Sequence, residues 1–160
     1  MATQSKNQAQ NYREFSEHNL FALTHKLDRQ MSNHINRLLR ARGYETISTR
    51  HLAMFDNIDT EGINIKLLAE RIRISKQAIS HLVKDAVQSG MVSVKTGKTD
   101  ARQVIAKLTD KGIEFVGSLQ PIIMEAQANI LRESSISEED LAVTSRVLAA
   151  ASAYLGKVEH

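Results

Sequence analysis

The sequence predicts a mainly α-helical fold that carries one small β-hairpin. Three observations lead to this. Apolar residues recur at three- and four-residue steps along most of the chain, and only residues 91–108 read as strands. With 7 Gly and 1 Pro in 160 residues, few positions favour turns. Within residues 64–112, two short helical patterns joined by a tight turn precede two β-rich runs joined by a basic, Gly-containing tip. That order is a helix-turn-helix followed by a β-hairpin wing, and it predicts a reader of duplex DNA.

Taken in order, residues 1–11 are polar and expected as a disordered tail. From about Tyr12 to Arg42 one helix is expected, with Leu20, Leu23, Leu27, Met31, Ile35, Leu38 and Leu39 as its stripe and Gly43 as its end. About 30 helical residues span roughly 45 Å, more than a domain of this size covers, so part of the stripe calls for a second chain. Ser48 opens a short helix carrying Leu52, Met54 and Phe55, and residues 59–62 form a loop. Asn64 caps the next helix, whose buried face is Ile65, Leu68, Ala69 and Ile72. Ser75 caps the helix after it, which buries Ala78, Ile79, Leu82, Val83 and Ala86 and closes at Gly90.

Residues 91–95 and 102–108 form the hairpin, and Thr109 caps a helix from Asp110. Pro121 should kink that helix, because it lacks an amide donor and crowds the preceding turn. Ser137, with Glu138, Glu139 and Asp140, starts a last helix through Leu141, Leu148, Ala151 and Leu155. The expected layout is therefore a tail over 1–11 and an N-terminal dimerisation helix over 12–46. A winged helix-turn-helix follows over 47–112, with C-terminal dimerisation helices over 113–160. A two-fold dimer would bury both terminal stripes and present two recognition helices to two half-sites.

Charge agrees with this reading. Net charge is only +3, but residues 64–111 hold ten Lys/Arg against four Asp/Glu, whereas residues 112–160 hold three against seven. Phosphate binding needs positive charge concentrated in this way. The absence of Cys excludes disulfides and thiol redox sensing. No apolar run is long enough to span a bilayer and no signal-peptide core stands at the N-terminus, so a cytoplasmic protein is expected.

The outward stripe of the second helix of the pair is Gln77, His81, Lys84 and Gln88, with Lys76 and Ser80 beside it. A merely solvated face usually mixes charges. This one offers donors and acceptors suited to base edges and phosphates. Ser75, Lys76, Gln77, Ser80, His81 and Lys84 are therefore the candidate DNA contacts of the helix. Lys95, Lys98, Asp100 and Arg102 are those of the wing, with Asp100 orienting the Arg102 guanidinium. His34 and His51 are candidate liners of a ligand pocket between the first two helices. The six His show no three- or four-residue spacing, so no metal site is expected, and no cofactor is called for. No phosphate loop or nucleophile motif appears, so no enzyme is expected. The competing reading is a winged-helix protein–protein adaptor without DNA binding.

Several motifs, in order, resemble the MarR family of winged-helix regulators. Ile47-Ser48 is similar to the family's helix opening, and Leu68-Ala69-Glu70-Arg71-Ile72 to its "LAERL" helix. Residues 77–90 resemble its recognition helix with a terminal Gly. Asp100-Ala101-Arg102 matches its Asp-x-Arg wing motif, and Leu108-Thr109-Asp110-Lys111-Gly112 its "LTxxG". The resemblance implies a homodimeric regulator, typically a repressor, on a pseudo-palindromic operator, with wings near the minor groove. It also implies release by a small effector, expected here to be anionic and aromatic. His81 stands where the family often has Arg, and Ala86 where Leu is common.

Overall fold

A computed structural model describes residues 8, 10–12, 14–17, 19–96 and 103–158. The chain forms two compact units, residues 1–122 and 123–160. Its elements are α1 (Leu20–Ala41), α2 (Thr49–Phe55), β1 (Ile63–Asn64), α3 (Ile65–Arg71), α4 (Lys76–Gln88), β2 (Val92–Thr96), β3 (Val104–Leu108), α5 (Asp110–Ser134) and α6 (Glu138–Val158).

Residues 10–12 and 14–17 are also helical, but α1 starts afresh at Leu20. The single helix expected from Tyr12 is thus divided. At the break Asn19 has extended backbone (ψ 157°), and its side-chain oxygen accepts from the Ala22 amide at 3.0 Å. An Asn that satisfies a first-turn amide competes with continued helix, and periodicity of apolar residues does not register this. At the other end Gly43 takes φ +83°, as the expected stop requires.

The sheet has one strand more than the hairpin. β1 pairs antiparallel with β3, Ile63 opposite Ala106 and Asn64 opposite Ile105, giving the order β1-β3-β2. Gly62 makes this possible: at φ +91° it feeds β1 so close to β3 that a Cβ there would lie 2.9 Å from Ile105 Cγ2 and 3.0 Å from the Ala106 carbonyl oxygen. Two residues are too few to show alternation in a sequence.

The core of the first unit gathers Leu39, Met54, Phe55, Leu68, Ile79, Met91, Phe115 and Ile122, all essentially inaccessible. Phe115 meets Tyr44 edge-on at 4.7 Å and Phe55 at 5.0 Å, joining α5 to the region around α2. The Thr109–Gly112 motif fastens α5 to the end of α4. The Thr109 hydroxyl donates to the Gly90 carbonyl at 2.6 Å and accepts from the Gly112 amide at 3.1 Å. Gly112 lies so near that a Cβ there would clash with the Met91 carbonyl oxygen.

α5 runs through Pro121 as one helix. Proline removes a single donor, and the turns on both sides keep theirs. In the second unit, Ser137 and Asp140 cap α6 reciprocally. The Asp140 amide donates to the Ser137 hydroxyl at 3.1 Å, and the Asp140 carboxylate accepts from the Ser137 amide at 3.0 Å. The Ser137 hydroxyl, which donates to that carboxylate at 2.6 Å, and then the Ser137 amide hold the Asp140 carboxyl below its usual range. α6 has no buried residue, and Val143, Val147, Tyr154, Leu155 and Val158 are exposed along it.

Candidate nucleic-acid interface

Helix α4 owes its position to its buried face. Ile79, Val83 and Ala86 enter the core, which fixes the opposite side toward solvent. Lys76, Gln77, Ser80, His81 and Lys84 are all exposed there. Ser75 is the N-cap, its hydroxyl accepting from the Ala78 amide at 3.1 Å. The Ser80 hydroxyl donates to the Lys76 carbonyl at 2.7 Å, which leaves its lone pairs as acceptors for an outside donor. No acidic residue stands in the first turn of α3 or of α4. Both amide-rich N-termini keep the positive end of the helix dipole unopposed, which favours phosphate oxygens.

On the wing, Lys95 is exposed near the end of β2. Lys98, Asp100 and Arg102 lie outside the described residues. Ion pairs brace the frame behind the helix: Arg71 Nη1 reaches Asp59 Oδ2 at 3.1 Å, and Lys107 Nζ reaches Glu61 Oε2 at 3.9 Å.

A groove of about 800 Å³ runs between α3, α4 and the start of β3. Besides Lys76, Gln77 and Ser80, it is lined by Lys66, Leu67 and Gln103. These three were missed by sequence reasoning. Lys66 and Leu67 lie off the buried stripe of α3, and only the fold shows that this side faces α4. Leu67 was the available signal: it is an apolar residue outside the buried pattern, and it is 44% exposed.

A second cleft, about 670 Å³, separates α2 from α4 and is lined by Arg50, His51, Ile74, His81, Leu82 and Asp85 among others. His34 is not among its lining residues. His34 and His51, the candidate pocket residues, have different partners. His34 lies on α1 with its Nδ1 3.3 Å from Arg37 Nη2, whereas His51 turns its Nδ1 back to the Ser48 amide at 3.1 Å. That amide is a donor, so Nδ1 accepts and the neutral ring carries its proton on Nε2. Burial pushes the His51 pKa below 6.5, although the nearby Asp85 carboxylate favours the charged form.

Among the described residues, no group of three or more His, Asp or Glu is placed to hold a metal ion. None of the described helices is long and apolar enough to cross a membrane.

The DNA-reading outline meets three independent comparisons. Residues 46–103 match the sequence model of the MarR family. No curated protein matches the chain. Among solved structures, MarR itself aligns at TM-score 0.73 with 18% identity, over 88% of this chain and 93% of that one. A MarR family transcriptional regulator from Streptomyces coelicolor, solved in complex with DNA, aligns at TM-score 0.63 with 16% identity, over 83% of each chain. BpsR of Bordetella bronchiseptica, whose DNA binding is regulated by 6-hydroxynicotinic acid, aligns at TM-score 0.65 with 10% identity, over 85% of this chain and 94% of that one. The central module thus matches the MarR family model, and the winged-helix fold is similar to that of solved MarR family members over most of the chain.

Proposed function

We propose that the protein is a cytoplasmic repressor that binds a pseudo-palindromic operator as a homodimer and is released by a small anionic aromatic effector. The observation that carries the DNA reading is the α4 surface: five exposed side chains able to hydrogen-bond, on a capped helix with no acid in its first turn. Gln77 and His81 are assigned to base edges, and Lys76, Ser80 and Lys84 to phosphates. From the wing, Lys95, Lys98 and Arg102 would add backbone or minor-groove charge, with Asp100 orienting Arg102. The Streptomyces relative bound to DNA supports the partner, and the regulated Bordetella relative supports an effector.

The dimer rests on apolar side chains that each unit leaves open. Phe15, Phe21, Leu23 and Leu27 are exposed in the first unit, and Met124, Val147 and Leu155 in the second. Surfaces of this kind mark association sites. The test is a mobility shift with duplex DNA at two salt concentrations. Binding that weakens steeply with salt and prefers one duplex fits the reading. No DNA binding at either salt concentration would favour the adaptor reading instead.

A further inference from the structure

Among the described residues, His51 Nε2 is the buried side-chain nitrogen or oxygen without a hydrogen-bond partner. The ring is 4% exposed and occupies the third position of α2, where a capping box ordinarily places Glu or Gln. A His there does the same backbone work and also brings an ionisable group into the space between α2 and α4. Nε2 faces Asp85 Oδ2 at 3.6 Å, past hydrogen-bond length but within reach of a small side-chain turn. Asp85 is four residues beyond His81 on α4, and its side chain is 46% exposed.

We propose that His51 is a positioning residue for the recognition helix, clamping Asp85 when it takes up a proton as DNA binds. Once charged, the ring gives up the Ser48 amide as a donor to Nδ1, and both nitrogens must donate. Nε2–H closes on the Asp85 carboxylate, and Nδ1–H turns to the Ser48 hydroxyl, now 3.2 Å away. The charged or titratable groups lining the same cleft are Arg50 from α2 and His81 and Asp85 from α4. The connection between α3 and α4 brings only Ile72 and Ile74, and α1 brings the uncharged Asn36 to the start of α2. In the free protein burial opposes the charged ring. Phosphates along the exposed side of α4 would favour it, so protons and DNA would bind cooperatively, each raising the other's affinity by the same factor. The coupling to DNA rests on the function proposed above. The clamp itself does not.

The experiment follows the His51 ring by NMR through a pH titration of the full chain, free and bound to its selected duplex. Asp85→Asn should lower the ring's midpoint in the free protein, because it removes the carboxylate charge that favours the charged form. An unchanged midpoint would overturn the clamp whether or not DNA binds. The duplex should raise the midpoint. Between pH 7.5 and 6, wild-type affinity should then gain about threefold more than His51→Gln does. His51→Gln should match wild type at pH 7.5, since its amide can still accept from Ser48 and donate toward Asp85. His51→Leu should bind less tightly at every pH. Equal pH dependence of wild type and His51→Gln would overturn the role in DNA reading. A chain that selects no duplex would remove the coupling, and the Asp85→Asn titration would still decide the clamp.

Discussion

Helices α4 and α6 both present an apolar stripe in the sequence, yet they end differently. α4 sinks Ile79, Val83 and Ala86 into the unit that contains it, whereas α6 buries nothing. A stripe shows which face seeks cover but not whose surface supplies it. In α4 the cover is the same chain, which frees the opposite face for a ligand. α6 has no such cover among the described residues, and on the proposed reading a second copy supplies it.

The largest expected effect breaks the α6 side of this contrast. The double substitution Leu148→Asp and Leu155→Asp places two carboxylates on the open stripe. It should weaken self-association by about 100-fold or more, because a charge buried without a partner costs several kcal/mol. Sedimentation at micromolar concentration should then show the single-chain mass with helicity retained. An unchanged mass would mean that α6 is not the association surface.

The next effect sharpens the α4 side. Gly112→Ala would drive a Cβ against the Met91 carbonyl, at the joint that holds the end of α4. Roughly 2–4 kcal/mol of stability should be lost, the scale of a steric conflict that only backbone movement relieves. Gly117→Ala, in the same helix but with nothing within 4 Å of the added Cβ, should instead gain about 0.5–1 kcal/mol. Urea unfolding midpoints decide between the two. A tolerated Gly112→Ala would mean that the joint is looser than its geometry.

A smaller effect is set by pH. The folded His51 pKa lies below 6.5, the ordinary value that the unfolded chain has. The unfolded state therefore binds the proton more readily. Stability should be intact above about pH 6.5 and should fall as pH drops toward the folded value. His51→Gln should flatten that part of the stability profile while keeping the α2 cap. An unchanged profile would assign the acid sensitivity to other groups.

Much of the DNA-binding module was legible because local chemistry and tertiary packing agree there. Asn64, Ser75 and Thr109 cap as their side chains dictate, and Gly90 takes φ +75° where α4 stops. Elsewhere the deciding contact was remote or very short. β1 exists because Gly62 lets two residues reach β3, which no alternation announces. The break at Asn19 comes from one side-chain oxygen set against a continuous apolar stripe. His51 was singled out as a pocket residue, but the sequence places neither Ser48 nor Asp85 beside its ring, and those two neighbours set its chemistry.

The most direct test compares two neighbours on α4, Gln77 and Lys76, both exposed at its start. Affinities of the wild type, Gln77→Ala and Lys76→Ala would be measured against duplexes carrying every single-base change in the selected site. Gln77→Ala should cost about 1–3 kcal/mol on the preferred duplex and erase the preference at one base pair. Lys76→Ala should weaken all duplexes alike and lower the salt slope by about one ion. If both variants keep the wild-type affinity, base preference and salt slope, α4 is not the surface that reads DNA.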